Sequence, residues 1–203
     1  MPSETIIDCL RHGECEGGEI YRGSTNVALS ERGWQQMQQS VDKVSGQWQV
    51  VVSSPMLRCV SFAEHISAAK QLDTTAYSGF RETHFGDWEG QKITDVWAND
   101  TERVSAWSQN PVQHSPPNGE LTKDFMSRVN EAFDALVANQ KEQHVGLIIH
   151  GGVMRVLLSR VLQTPFNGFR TLDVPYACLS RIRIFHTDEG DFSQLVFHNV
   201  ALP

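Results

Sequence analysis

Two short apolar runs, Thr5 to Leu10 and Val145 to Ile149, each end in a histidine followed by glycine, as Arg11-His12-Gly13 and His150-Gly151-Gly152. Runs of this length and composition read as buried strands, so both histidines are expected at strand ends. In open α/β sheets that is where ligands bind, because helix N-termini there offer free N–H groups and the positive end of a dipole. Two strand-end histidines in one such fold are candidates for a shared pocket.

The segments between them alternate in the way an α/β fold requires. Ser30 is a plausible N-cap, and Trp34, Met37, Val41 and Val44 recur at helical spacing. A strand is expected at about Gln49 to Ser53, and Ser54-Pro55 has the form of a helix start for a helix to about Ala69 carrying Arg58 on its first turn. Phe80 to Gly90 (FRETHFGDWEG) and the stretch from Asn110 to Gly119 read as loops, the usual walls of active sites. Phe125, Val129, Phe133 and Leu136 mark a helix over about Lys123 to Gln140, and Val153 to Leu162 marks another. A hairpin is expected from Cys178 to Phe185 and Gln194 to His198.

With 203 residues, 40% hydrophobic and 20% charged, the chain fits one domain over 1–203. Arg11 and His12 arrive before any leader-like apolar run develops, and no run of about 18 apolar residues follows, so a soluble, cytoplasmic protein is expected. A net charge of −7 disfavours nucleic-acid and anionic-membrane partners, leaving a small molecule. Any phosphate must therefore be held by individually placed arginines and histidines. Cys9, Cys15, Cys59 and Cys178 form no CxxC pair and read as free thiols.

Singly, a strand-end histidine is more often structure than catalyst, but the motifs LRHGE, SSPMLRC, RETHFGDWEG and IIHGGVMR occur here in this order. Together they resemble the histidine phosphatase (phosphoglycerate mutase-like) superfamily over nearly the whole chain. The resemblance implies a three-layer α/β/α sandwich with a mostly parallel central sheet, and a phosphomonoesterase working through a phosphohistidine. It implies His12 as nucleophile, Arg11 and Arg58 as phosphate ligands, His150 as the second histidine of the pocket and Glu82 as proton donor, with Arg22 as a further basic position that equally suits a solvated loop.

The chemistry is coherent. A neutral imidazole attacks phosphorus if its other nitrogen is held as N–H; the group that holds His12 is not evident in the sequence. Arginines and a second histidine stabilise the phosphoryl charge without a metal or other cofactor. A carboxylic acid protonates a poor alkoxide leaving group and later activates water, with Glu14 and Asp87 the nearest alternatives to Glu82. His84 and His65 read as structural or exposed, and His84, Asp87 and Glu89 lack the spacing of a metal site.

Two positions depart from the family pattern: Cys15 stands where many members have Thr, and Gly18 where many have Asn. The segment GGEIYRGSTNVALSERGW, with FGDWEG and the TPFNG turn, resembles the α-ribazole phosphatase branch, implying α-ribazole 5′-phosphate or adenosylcobalamin 5′-phosphate as substrate. A broad-specificity phosphatase and a mutase-type phosphotransferase are the alternatives. A cysteine phosphatase is disfavoured, because six residues separate Cys15 from Arg22 where its phosphate loop needs five.

Overall fold

The computed structural model describes residues 3–42, 44–166 and 171–199. Six strands form one sheet: β1 (Ser3–Arg11), β2 (Val50–Ser53), β3 (Asp73–Ala76), β4 (His144–Ile149), β5 (Leu179–His186) and β6 (Phe192–His198). Their order is β3-β2-β4-β1-β5-β6. The pairs β2·β3, β2·β4 and β1·β4 are parallel, whereas β5 runs antiparallel to both β1 and β6. The mostly parallel sheet expected from the sequence is therefore present, with the predicted hairpin as its antiparallel edge.

Alternating side chains explain why helices cover both faces. Ile7 and Cys9 of β1, Val50 and Val52 of β2 and the odd-numbered residues Val145 to Ile149 of β4 pack on one face with Phe125, Val129 and Phe133 of α5 (Thr122–Asn139) and Val153 and Leu157 of α6 (Gly151–Val161). Leu10, Val51 and Ile148 point the other way, onto Met37 and Val41 of α1 (Glu31–Val41) and Phe62 and Ile66 of α2 (Leu57–Lys70). Each such fully buried side chain contributes on the order of 1.5–3 kcal/mol.

Ser30 caps α1 as expected, accepting from the Gly33 N–H at 3.1 Å. The Ser54-Pro55 start is corrected: α2 begins at Leu57, and the Leu57 N–H is capped from a distance by Asn26 Oδ1 at 2.8 Å. Ser54 is drawn instead into the interior, where its hydroxyl meets His150. The structure adds β3 and two short helices, α3 (Ile93–Asn99) and α4 (Thr101–Gln109), to the expected elements. These helices owe their place to tertiary packing: Val96, Val104 and Trp107 close an aromatic cluster with Tyr21, Phe85 and Trp88. The TPFNG turn lies partly outside the described residues. Among the described residues no helix is long and apolar enough to cross a membrane.

Candidate active site

The register of β1 against β4 brings the two histidine motifs together. Arg11 lies opposite Ile149, and the His12 N–H donates to the Ile149 carbonyl at 2.9 Å, so both chains leave the sheet level with each other. The two imidazoles stand edge to face with centroids 5.2 Å apart. Behind them the backbone turns tightly, for a Cβ on Gly13 would come within 2.2 Å of the Gly33 carbonyl oxygen at the start of α1.

His12 is oriented by its own neighbour: Nδ1 lies 2.8 Å from the Gly13 carbonyl. A carbonyl only accepts, so Nδ1 carries the proton and Nε2 keeps its lone pair. Burial, and then the positive charges of Arg58 and Arg11, hold the His12 pKa well below its usual value, so the ring is neutral. Cys15, in the place of the family's Thr, sets its Sγ 3.5 Å from Nδ1. Burial pushes that thiol's pKa up, which makes it a packing neighbour and not a rival nucleophile.

His150 and Arg58 are both fully buried. Arg58 Nε donates to His150 Nδ1 at 3.2 Å; His150 Nε2 therefore carries the hydrogen and donates to Ser54 Oγ at 2.7 Å. The rest of the Arg58 guanidinium donates to the carbonyls of Thr25, Arg22 and Gly23 at 2.9–3.2 Å. In this structure Arg58 ties α2 to the loop that carries Arg22.

A cavity of about 190 Å³ opens at His12, lined among others by Arg11, Arg22, Glu82, Arg155 and Tyr176. Arg22 is buried and not a solvated loop arginine. Its guanidinium is held by the carbonyls of Glu16 and Gly18, both at 2.8 Å. Where the family's Asn is missing, the Gly18 backbone thus serves as an anchor for Arg22. Arg11 stacks on Tyr176, 4.3 Å from the ring centroid, and donates to the Val174 carbonyl, while Arg155 Nε donates to the Leu172 carbonyl at 3.0 Å. One strap, residues 172–176, therefore fixes two arginines. Tyr176 and Arg155 escaped sequence reasoning; the only signal was a charged residue within the apolar helix Val153 to Leu162.

Glu82 is seated on the first turn of α6. Its Oε2 accepts from the Gly152 N–H at 2.9 Å and its Oε1 from the Thr83 N–H at 3.0 Å. A Cβ on Gly152 would lie 2.3 Å from Oε1, so this seat exists because residue 152 has no side chain. Arg128 of α5 uses all five of its N–H groups, three on the carbonyls of Gly79, Arg81 and Glu82 and two, bidentately, on Glu120. The alternative acids face elsewhere: Glu14 accepts from Ser30 Oγ at 3.1 Å and Asp87 from Asn118 Nδ2.

The model of the histidine phosphatase superfamily (branch 1) matches residues 7–197. The chain belongs to that superfamily. It is 30% identical to the adenosylcobalamin/alpha-ribazole phosphatase of Escherichia coli (strain K12), over 86% of this chain and 88% of that protein. It is 29% identical to the glucosyl-3-phosphoglycerate phosphatase of Mycobacterium tuberculosis, over 80% of this chain and 78% of that one. The crystal structure of the alpha-ribazole phosphatase from Shigella flexneri superposes with a TM-score of 0.79 at 28% identity, covering 96% of each chain. As a histidine phosphatase the protein is a phosphoric monoester hydrolase with the phosphoglycerate mutase-like fold that the resemblance implied.

In this histidine phosphatase the loop bearing Arg22 is clasped by Glu89, which accepts from the backbone N–H groups of Gly23, Ser24, Thr25 and Phe85 and from Thr25 Oγ1. Burial alone would raise the Glu89 pKa, but these hydrogen bonds hold it at about 2. His84 is half-exposed and bonded to Glu89, and His65 is exposed against Trp34. All four cysteines are buried free thiols.

Proposed function

We propose that this chain acts as one catalytic domain that hydrolyses a small phosphomonoester through a phosphohistidine on His12, with α-ribazole 5′-phosphate as the leading substrate. The observation that carries the mechanism is the Nδ1–H bond of His12 to the Gly13 carbonyl at 2.8 Å, which leaves Nε2 unprotonated beside buried arginines. Nε2 attacks phosphorus while the P–O bond to the alcohol breaks. Arg11 and Arg22 line the cavity and stabilise the three phosphoryl oxygens, together with the N-terminal end of α6. Arg58 and His150 support that cradle from behind. Glu82 gives its proton to the departing alkoxide, then takes one from the water that cleaves the N–P bond. The substrate reading follows from the two relatives named for alpha-ribazole; the relative named for glucosyl-3-phosphoglycerate supports the alternative of another phosphorylated sugar derivative.

A single-turnover experiment tests the acid. Glu82→Gln should slow phosphoryl transfer to His12 by about two to four decades with an alkyl ester, and much less with p-nitrophenyl phosphate, whose leaving group needs no proton. The trapped enzyme should carry acid-labile label that His12→Ala abolishes. Equal loss on both esters would remove Glu82 from the acid role, and acid-stable label would refute the phosphohistidine.

A further inference from the structure

Two cavities meet at Glu82. The smaller is lined by His12; the larger, about 550 Å³, is lined by Gly23, Ser24, Asn26, Met56, His84 and Glu82 among others. Glu82 belongs to both linings, whereas His12 and Arg11 belong only to the smaller one. In-line transfer from an alcohol to His12 places the leaving oxygen on the side of phosphorus away from Nε2, and the acid must touch that oxygen. A proton donor that lines two cavities, only one of which has the nucleophile in its lining, suits a phosphoryl side and an alcohol side.

We propose that the larger cavity seats the alcohol half of the substrate, and that His84 and Asn26 select a polyhydroxylated, sugar-like alcohol there. The inference rests on the phosphatase reading above. Each of the two side chains has one end tied to the protein. His84 Nδ1 lies 2.9 Å from Ser24 Oγ and 3.3 Å from Glu89 Oε1. Glu89 is ionised at neutral pH and only accepts, so Nδ1 carries a hydrogen, and in the Nδ1–H imidazole Nε2 is the acceptor. Asn26 Oδ1 is committed to the Leu57 N–H at 2.8 Å, which leaves the Nδ2 hydrogens as donors. Neither His84 Nε2 nor Asn26 Nδ2 has a hydrogen-bond partner among the described residues. Beside Arg81, Glu120 and Arg128, which also line it, the cavity thus gains one oriented acceptor from His84 and one oriented donor from Asn26. Hydroxyl groups both donate and accept, and satisfy this pair; a plain alkyl chain satisfies neither.

The test compares kcat/KM for two primary-alcohol esters, methyl ribofuranoside 5-phosphate and n-propyl phosphate. His84→Asn keeps a donor near the position of Nδ1 and deletes Nε2, while Asn26→Asp keeps the acceptor for Leu57 and deletes the donor. Wild type should prefer the riboside, and each variant should cut the ratio of the two kcat/KM values about three- to tenfold, the worth of one net hydrogen bond. Taking the ratio cancels any general loss from a loosened loop or an added charge. A wild-type ratio near one, or a ratio within twofold of wild type in either variant, overturns the proposal. Glu82→Gln and His12→Ala assayed alongside separate the two readings. If they keep wild-type turnover on both esters the phosphatase mechanism fails, whereas if they lose it while the ratio is flat only the cavity assignment fails.

Discussion

At the scale of single residues, Gly152 has the most to say about how the site is kept. Its N–H holds the Glu82 carboxylate and its missing side chain makes the room. Gly152→Ala should therefore split stability from activity. Alanine suits a helix better than glycine by about 1 kcal/mol, so the Tm should hold or rise, while alkyl-ester turnover should drop ten- to a hundredfold as the new methyl displaces Glu82. Thermal unfolding and steady-state assays on the same preparation check both halves, and an alanine variant of wild-type activity would show that Glu82 works from another position. The motif IIHGG was legible in the sequence, but the reason for its second glycine was not, because Glu82 approaches from 70 residues away. The orienter of His12 was hidden for another reason: it is a backbone carbonyl, and a sequence does not show which way a carbonyl points.

At the scale of elements, the expectations held where the signal was local. β1, β4 and α5 carry their patterns within their own residues, and their observed limits differ from the expected ones by few positions. α3 and α4 were not legible, since short helices held by an aromatic cluster depend on partners elsewhere. The same holds for Arg128 of α5, which gives three N–H groups to the carbonyls of Gly79, Arg81 and Glu82 and two to Glu120. Arg128→Lys keeps the charge but not the fork. It should lower stability by about 0.5–1.5 kcal/mol through lost hydrogen bonds and slow alkyl esters more than p-nitrophenyl phosphate, as loss of Glu82 positioning would. Equal slowing of both would make the Arg128 clamp purely structural.

At the scale of the whole molecule, the buried charges set a direction for pH. His12 and His150 are held neutral in the fold, with pKa values well below the usual one, first by burial and then by nearby arginines. The unfolded chain protonates both histidines as pH falls through about 6.5 and the folded chain does not, so acid favours unfolding, by about 1.4 kcal/mol per pH unit for each. Glu89 at about 2, and Asp8, whose bonds to His144, Arg181 and Trp48 outweigh its burial, act in the same sense at lower pH. Their contribution is present above the usual carboxylate range and is lost below it. The Tm should accordingly fall steadily from pH 7 to pH 5, and a flat curve over that interval would contradict the neutral state assigned to the two rings. The sheet order bears on how the protein comes into being. β1 leaves the ribosome before the other described strands of its sheet, yet its two neighbours, β4 and β5, are made after residue 143 and residue 178. Until then its apolar residues have no sheet to join, so the growing chain carries an open strand edge while more than 130 further residues are made, and the strand that ends in the nucleophile is the one most in need of chaperoning.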